Sequence, residues 1–151
     1  MSLLDRLTED LKRSLKGGDS TKVSVIRLLK SSIKNREIEK RSPLTEEEIM
    51  EVVVSGIKQR RESIEQFKKG GREDLVNKET SEIDVLQAYL PQQLSEEDLM
   101  NEIRTVIKEV GATSPQDMGK VMKTLMHRVK GRAEGAKVSS LVKELMEARA
   151  H

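Results

Sequence analysis

An all-α protein follows from three features of this sequence. Apolar residues recur at i, i+3, i+4 and i+7 through most of the chain, the spacing of one helix face. The three prolines, Pro43, Pro91 and Pro115, all fall between these stretches and none inside one. Apolar and charged residues make up 35% and 36% of the 151 residues, and Phe67 and Tyr89 are the only aromatics. Such a composition suits thin helical layers around an aliphatic core. The expected architecture is an N-terminal bundle of about four helices followed by a small three-helix C-terminal domain.

Leu3, Leu4, Leu7, Leu11 and Leu15 share one face, so a first helix spans residues 2–16 and ends at Gly17-Gly18. Asp19 or Ser20 caps the next, about 21–39, with Val23, Ile26, Leu29, Ile33 and Ile38 as core candidates. Ser42-Pro43-Leu44 turns the chain. Thr45 with Glu48 then makes a reciprocal capping box for a third helix running to Lys69. Glu46 and Glu47 lie where the helix dipole favours anions. Val52-Val53-Val54 is β-branched, yet it falls inside the helical series Ile49, Val53, Ile57, Ile64 and Phe67 and is read as helix. After Gly70-Gly71 a fourth helix opens at Arg72-Glu73-Asp74 and uses Leu75, Val76, Ile83, Leu86 and Leu90. Pro91 closes it, because the residue before a proline is driven out of helical space.

Gln92-Gln93-Leu94-Ser95 is the best domain boundary, dividing 1–92 from 93–151. Ser95 with Asp98 makes a second capping box, and a fifth helix buries Leu99, Ile103, Val106, Ile107 and Val110 before Gly111 ends it. Thr113-Ser114-Pro115 is a turn with Pro115 as the first helical residue. The sixth helix carries the stripe Met118, Val121, Met122, Leu125, Met126 and Val129 and stops at Gly131. A seventh, about 136–148, buries Val138, Leu141, Val142, Leu145 and Met146. Whether His151 is native or a cloning remnant is left open.

Several classes drop out. Without cysteine there is no disulfide framework and no thiolate zinc site, and two histidines make no metal cluster. The apolar stretch 49–54 is interrupted by Glu51 and far too short to span a bilayer. Asp5, Arg6, Glu9 and Asp10 break up any signal-peptide core, so a cytoplasmic protein with no membrane partner is expected. Gly119-Lys120 resembles the end of a phosphate-binding loop, but Ser114 and Val121 stand where it needs Gly and Ser or Thr. His127 neighbours Lys123, Arg128 and Lys130 rather than an orienting carboxylate, so no catalytic residue is assigned.

What remains is charge. The net +2 hides segregation: 22–41 carries seven bases and two acids, 92–117 two bases and six acids, and 118–137 six bases and one acid. At about 100° per residue, Lys120, Lys123 and His127 fall opposite the sixth helix's apolar stripe. They join Arg128, Lys130, Arg132 and Lys137 as candidates for gripping a polyanion, with Gly131 and Gly135 flanking Arg132 so that backbone can approach a phosphate. If the polyanion is a nucleic acid, two aromatics make no stacking platform for single-stranded bases, and Lys and Arg on helix faces would grip the phosphate backbone and recognise the shape of a folded RNA.

Tyr89-Leu90-Pro91-Gln92-Gln93-Leu94-Ser95, Met118-Gly119-Lys120-Val121-Met122 and Lys130-Gly131-Arg132-Ala133-Glu134-Gly135 together resemble the YqeY family, also called the GatB/YqeY-domain proteins. The resemblance extends to Ser2-Leu3-Leu4 and Gly71-Arg72-Glu73-Asp74-Leu75, with Glu134 standing where the family more often has Asp. It implies a two-part helical fold. The second part would be of the type of the tail of the B subunit of the glutamine-dependent amidotransferase that acts on misacylated Glu-tRNA(Gln) or Asp-tRNA(Asn). In that enzyme the tail helps hold the tRNA, while amidase and kinase chemistry lie elsewhere. The resemblance therefore implies tRNA as partner and kinship with carbon–nitrogen ligases using glutamine as amido-N-donor. The sequence itself has neither a Ser-Lys amidase constellation nor a recognisable ATP site, and no cofactor is expected. Two other readings stay open: an accessory subunit taking part in catalysis within an amidotransferase complex, and a protein-interaction adaptor working through its long N-terminal helices.

Overall fold

The computed structural model describes residues 1–150, so His151 lies outside the described residues. All regular structure in them is helical: α1 (Leu3–Gly17), α2 (Ser20–Lys40), α3 (Glu46–Lys69), α4 (Glu73–Gln87), α5 (Glu96–Val110), α6 (Met118–Val129) and α7 (Gly135–Ala150). A 3-10 turn, Pro115–Asp117, precedes α6. The chain divides into two compact units, Met1–Leu90 and the residues from Pro91 onward.

In the first unit α1, α2 and α3 begin where a side chain accepts a free N–H, whereas Arg72 before α4 makes no such bond. Ser2 and Asp5 make a capping box for α1, and Asp19 accepts from Lys22 at α2. At α3 the expected box forms: Thr45 accepts from Glu48 N at 3.1 Å and Glu48 from Thr45 N at 3.0 Å. Leu7, Ile26, Ile33, Val53 and Leu86 are among the side chains enclosed in the resulting core. Helix α3 packs most extensively against α4, and α2 touches α1, α3 and α4.

Three sequence expectations need correcting here. Helix α4 ends at Gln87 rather than continuing to Pro91, and residues 88–90 turn through i+3 bonds, Tyr89 N to Leu86 O and Leu90 N to Gln87 O, both 3.1 Å. Tertiary contact overrides the helical pattern: the buried Tyr89 donates its hydroxyl to Asp10 Oδ2 at 2.5 Å, under the Arg6 guanidinium. Second, Ile38 is not core. It is 65% exposed, beyond Ile33, the last buried residue of α2. Third, α2 continues to Lys40 and stops with Arg41 in left-handed backbone, φ 63°.

The second unit buries Leu99, Ile103 and Ile107 of α5 against Val121, Leu125 and Val129 of α6 and Val138, Val142 and Met146 of α7. Met118, Met122 and Met126 pack half-buried at its edge. Ser95 caps α5 by accepting from Asp98 N at 3.1 Å, but Asp98 does not return the bond, so only half the expected box forms. Pro115 opens the 3-10 turn, and α6 starts later than expected, at Met118.

Candidate nucleic-acid interface

Burial of the α6 stripe fixes the opposite face outward. Lys120, Lys123 and His127 are all exposed, as helical spacing requires, and make no hydrogen bond or ion pair with the described residues. Just before them, Asp117 accepts from the backbone N–H groups of Thr113 (2.9 Å) and Ser114 (3.3 Å). Those bonds hold its carboxyl below the usual carboxylate range, with a smaller contribution from the Lys120 ammonium.

The other four candidates are placed differently. Arg128 is paired with Glu109 of α5. Lys137 of α7 lies 3.9 Å from Glu96 Oε2. Lys130 is half-buried and engaged within the protein. Arg132 donates from Nε to the Gln92 carbonyl at 3.2 Å while its own carbonyl accepts from Leu94 N at 2.9 Å. The linear separation of acidic and basic runs is therefore not a separation in space: two acids of the run 92–117 fold back onto the basic stretch and neutralise part of it.

The turn after α6 joins two of the sequence motifs. Lys130 leaves helical space with ψ 124°, Gly131 takes φ 76°, and Arg132 N donates back to Val129 O at 2.8 Å. Gln93 Nε2 then bridges the Gly131 carbonyl at 2.7 Å and the Pro91 carbonyl at 3.3 Å. Gly131 is buried and its carbonyl occupied, so its expected role of admitting a phosphate to the backbone gives way to a structural one. Gly135 starts α7, where a Cβ would make ordinary contact with Met126 Cε at 3.7 Å. Gly119 differs from both: it is exposed in the first turn of α6, and a Cβ there would meet nothing within 4 Å. Sequence reasoning missed the roles of Gln93, Glu96 and Glu109, whose partners lie too far along the chain for spacing to reveal. Among the described residues no group of three His, Asp or Glu is placed to hold a metal ion, and no helix is long and apolar enough to cross a membrane.

Comparison with known proteins bears on both units. A protein in Eremothecium gossypii named altered inheritance of mitochondria protein 41, mitochondrial, is 43% identical over 88 residues, 58% of this chain and 48% of that protein. Proteins of the same name are 28% identical over 150 residues in Pyrenophora tritici-repentis, covering 97% of this chain and 82% of that one, and 30% over 141 residues in Saccharomyces cerevisiae, covering 93% and 66%. With the first relative the match thus spans about half its length. These designations overturn the expectation of a cytoplasmic protein. It rested on missing cysteines, signal peptide and membrane span, and none of those separates the cytosol from an organelle interior. The model of the family described as Yqey-like protein matches residues 4–146, which leaves neither helical unit outside it, and the chain accordingly belongs to the YqeY-like family.

Proposed function

We propose that this protein binds structured RNA, tRNA in particular, through the outward face of α6. On this reading the second unit is a counterpart of the amidotransferase B-subunit tail. One observation carries the reading: Lys120, Lys123 and His127 stand exposed on one helix face with nothing in the described chain paired to them. The packed helix sets where these side chains project, so only the side chains themselves remain to be ordered on a phosphate. Both aromatics, Phe67 and Tyr89, belong to the first unit, so this face would grip a phosphate backbone and its shape rather than stack on bases.

Arg128 and Lys137 stay with Glu109 and Glu96 in exposed ion pairs, each worth about 1 kcal/mol or less, and contribute no phosphate contact while those pairs persist. Lys130 and Arg132 act chiefly by shaping the turn beneath. The carbon–nitrogen ligase kinship then describes descent or a larger complex, and the chain contributes grip rather than turnover. The test is binding of folded tRNA by the full chain and by a Lys120→Glu/Lys123→Glu variant. Reversing two phosphate-facing charges should weaken binding at least about tenfold near 0.1 M salt. Equal affinity overturns the proposal.

A further inference from the structure

The first unit holds a groove of about 390 Å³ between α2 and α3, within the size range of small-molecule sites. Its floor is apolar, made by Val25, Leu29, Val52 and Leu86. Its walls are polar: Ser32, Asn35 and Arg36 from α2, Ser55, Gln59 and Arg60 from α3. Two guanidinium groups line it and no carboxylate does.

Arg60 is the unusual member. Its side chain is only 16% exposed, yet its bonds are few for a group with five donors. Nη1 donates to the Gly56 carbonyl at 3.1 Å. Nη2 lies 3.9 Å from Glu82 Oε1, too far for a hydrogen bond, and Nε is buried with no partner. An unsatisfied buried donor is costly, so this guanidinium gains by turning toward an anion in the groove. Gly56 gives it room: a Cβ there would meet Leu86 Cδ1 at 3.3 Å and Arg60 Nη1 at 3.4 Å.

We propose that this groove binds a carboxylate carried on a short apolar body, with the carboxylate on Arg60 and Arg36 and the body on the floor. The planar fork of arginine matches a carboxylate through two parallel N–H bonds. The apolar floor selects an amphiphilic acid over a bare, strongly hydrated anion. Two sources present this chemistry: a free carboxylic acid, and the C-terminus of a peptide ending in apolar residues.

The experiment follows backbone amide shifts of the full chain by NMR during titration with octanoate, N-acetyl-leucyl-leucine and N-acetyl-leucyl-leucinamide. One or both carboxylates should shift amides of α2 and α3 beside the groove, with the amide compound at least about tenfold weaker. A response to octanoate alone assigns the free acid, and to the dipeptide acid alone the peptide terminus. No response to either, shifts confined to other surfaces, equal binding of the leucinamide, or equally tight inorganic phosphate overturns the proposal. Because Arg60→Gln alone strands the buried Glu82, it is made together with Glu82→Gln. Arg36→Gln, at an exposed position, strands nothing. A loss of about tenfold in either variant supports the site, and full-strength binding by both sinks it.

Discussion

Gly119, in the first turn of α6, and Gly131, in the turn that follows it, show how one residue type serves two ends. At Gly131 the backbone itself demands glycine: φ is 76°, the residue is buried, and its carbonyl is held by Gln93. Gly131→Ala should therefore destabilise the protein by about 1–2 kcal/mol, the cost of forcing a Cβ into left-handed space. Nothing of the kind constrains Gly119, where the surroundings are open. Gly119→Ala should stabilise by roughly 0.5–1 kcal/mol, since glycine inside a helix loses more backbone freedom than alanine. Denaturant unfolding of the two variants measures both. If an RNA backbone approaches α6 at this bare position, the same Gly119→Ala change also lowers tRNA affinity. A rise in stability with a fall in binding is an outcome that damage to the fold cannot imitate.

At the scale of the element, the N-terminus of α3 makes the clearest case for local chemistry. The Glu48 carboxylate accepts from Lys40 Nζ at 2.5 Å and from Thr45 N at 3.0 Å. These bonds, that from Lys40 foremost, pull its pKa from 4.5 to about 2. A carboxyl depressed in the folded state stabilises it above the ordinary value, and that stabilisation is lost as pH falls from 4.5 toward about 2. Glu48→Gln should flatten the acid limb of stability against pH in that window. Thr45→Ala, which removes the cap, should cost about 1 kcal/mol at neutral pH. Equilibrium unfolding across pH 2 to 7 checks both. Tyr89 works in the other direction. Burial first, then its bond to Asp10, raises its pKa above 10.0, so its contribution is present below that pH and lost above it. Caps such as Thr45, Asp19 and Gly111 are legible in sequence because donor and acceptor sit within a few residues of each other. The stop at Arg41 is not, since nothing about an arginine announces left-handed backbone. Nor is the end of α4, which depends on Tyr89 meeting Asp10, 79 residues away.

Over the whole molecule the same divide runs between local and distant. Helical periodicity alone places Lys120, Lys123 and His127 on the outward face of α6, because a helix wheel needs no tertiary information. The α2–α3 groove leaves only a faint trace in the sequence, a mid-helix Gly56 one turn before Arg60. The Glu109–Arg128 pair, 19 residues apart, is invisible to spacing, and it decides how much of the basic run is free to act. With Lys120 and Lys123 as the unpaired lysines of that face, about two phosphates are engaged. At about 0.7–0.9 per phosphate, the log–log salt slope of tRNA binding should lie near −2. Glu109→Gln tests this account of the surface. It releases Arg128 without adding a cation, so binding should tighten and the slope steepen by about 0.7–0.9, one further phosphate. Titrations of folded tRNA at several salt concentrations measure both quantities together. An unchanged slope would place Arg128 outside the interface. A slope of about −3 to −3.6 in the unmodified chain, four phosphates at about 0.7–0.9 each, would mean instead that the ion pairs at Glu109 and Glu96 already open when RNA binds.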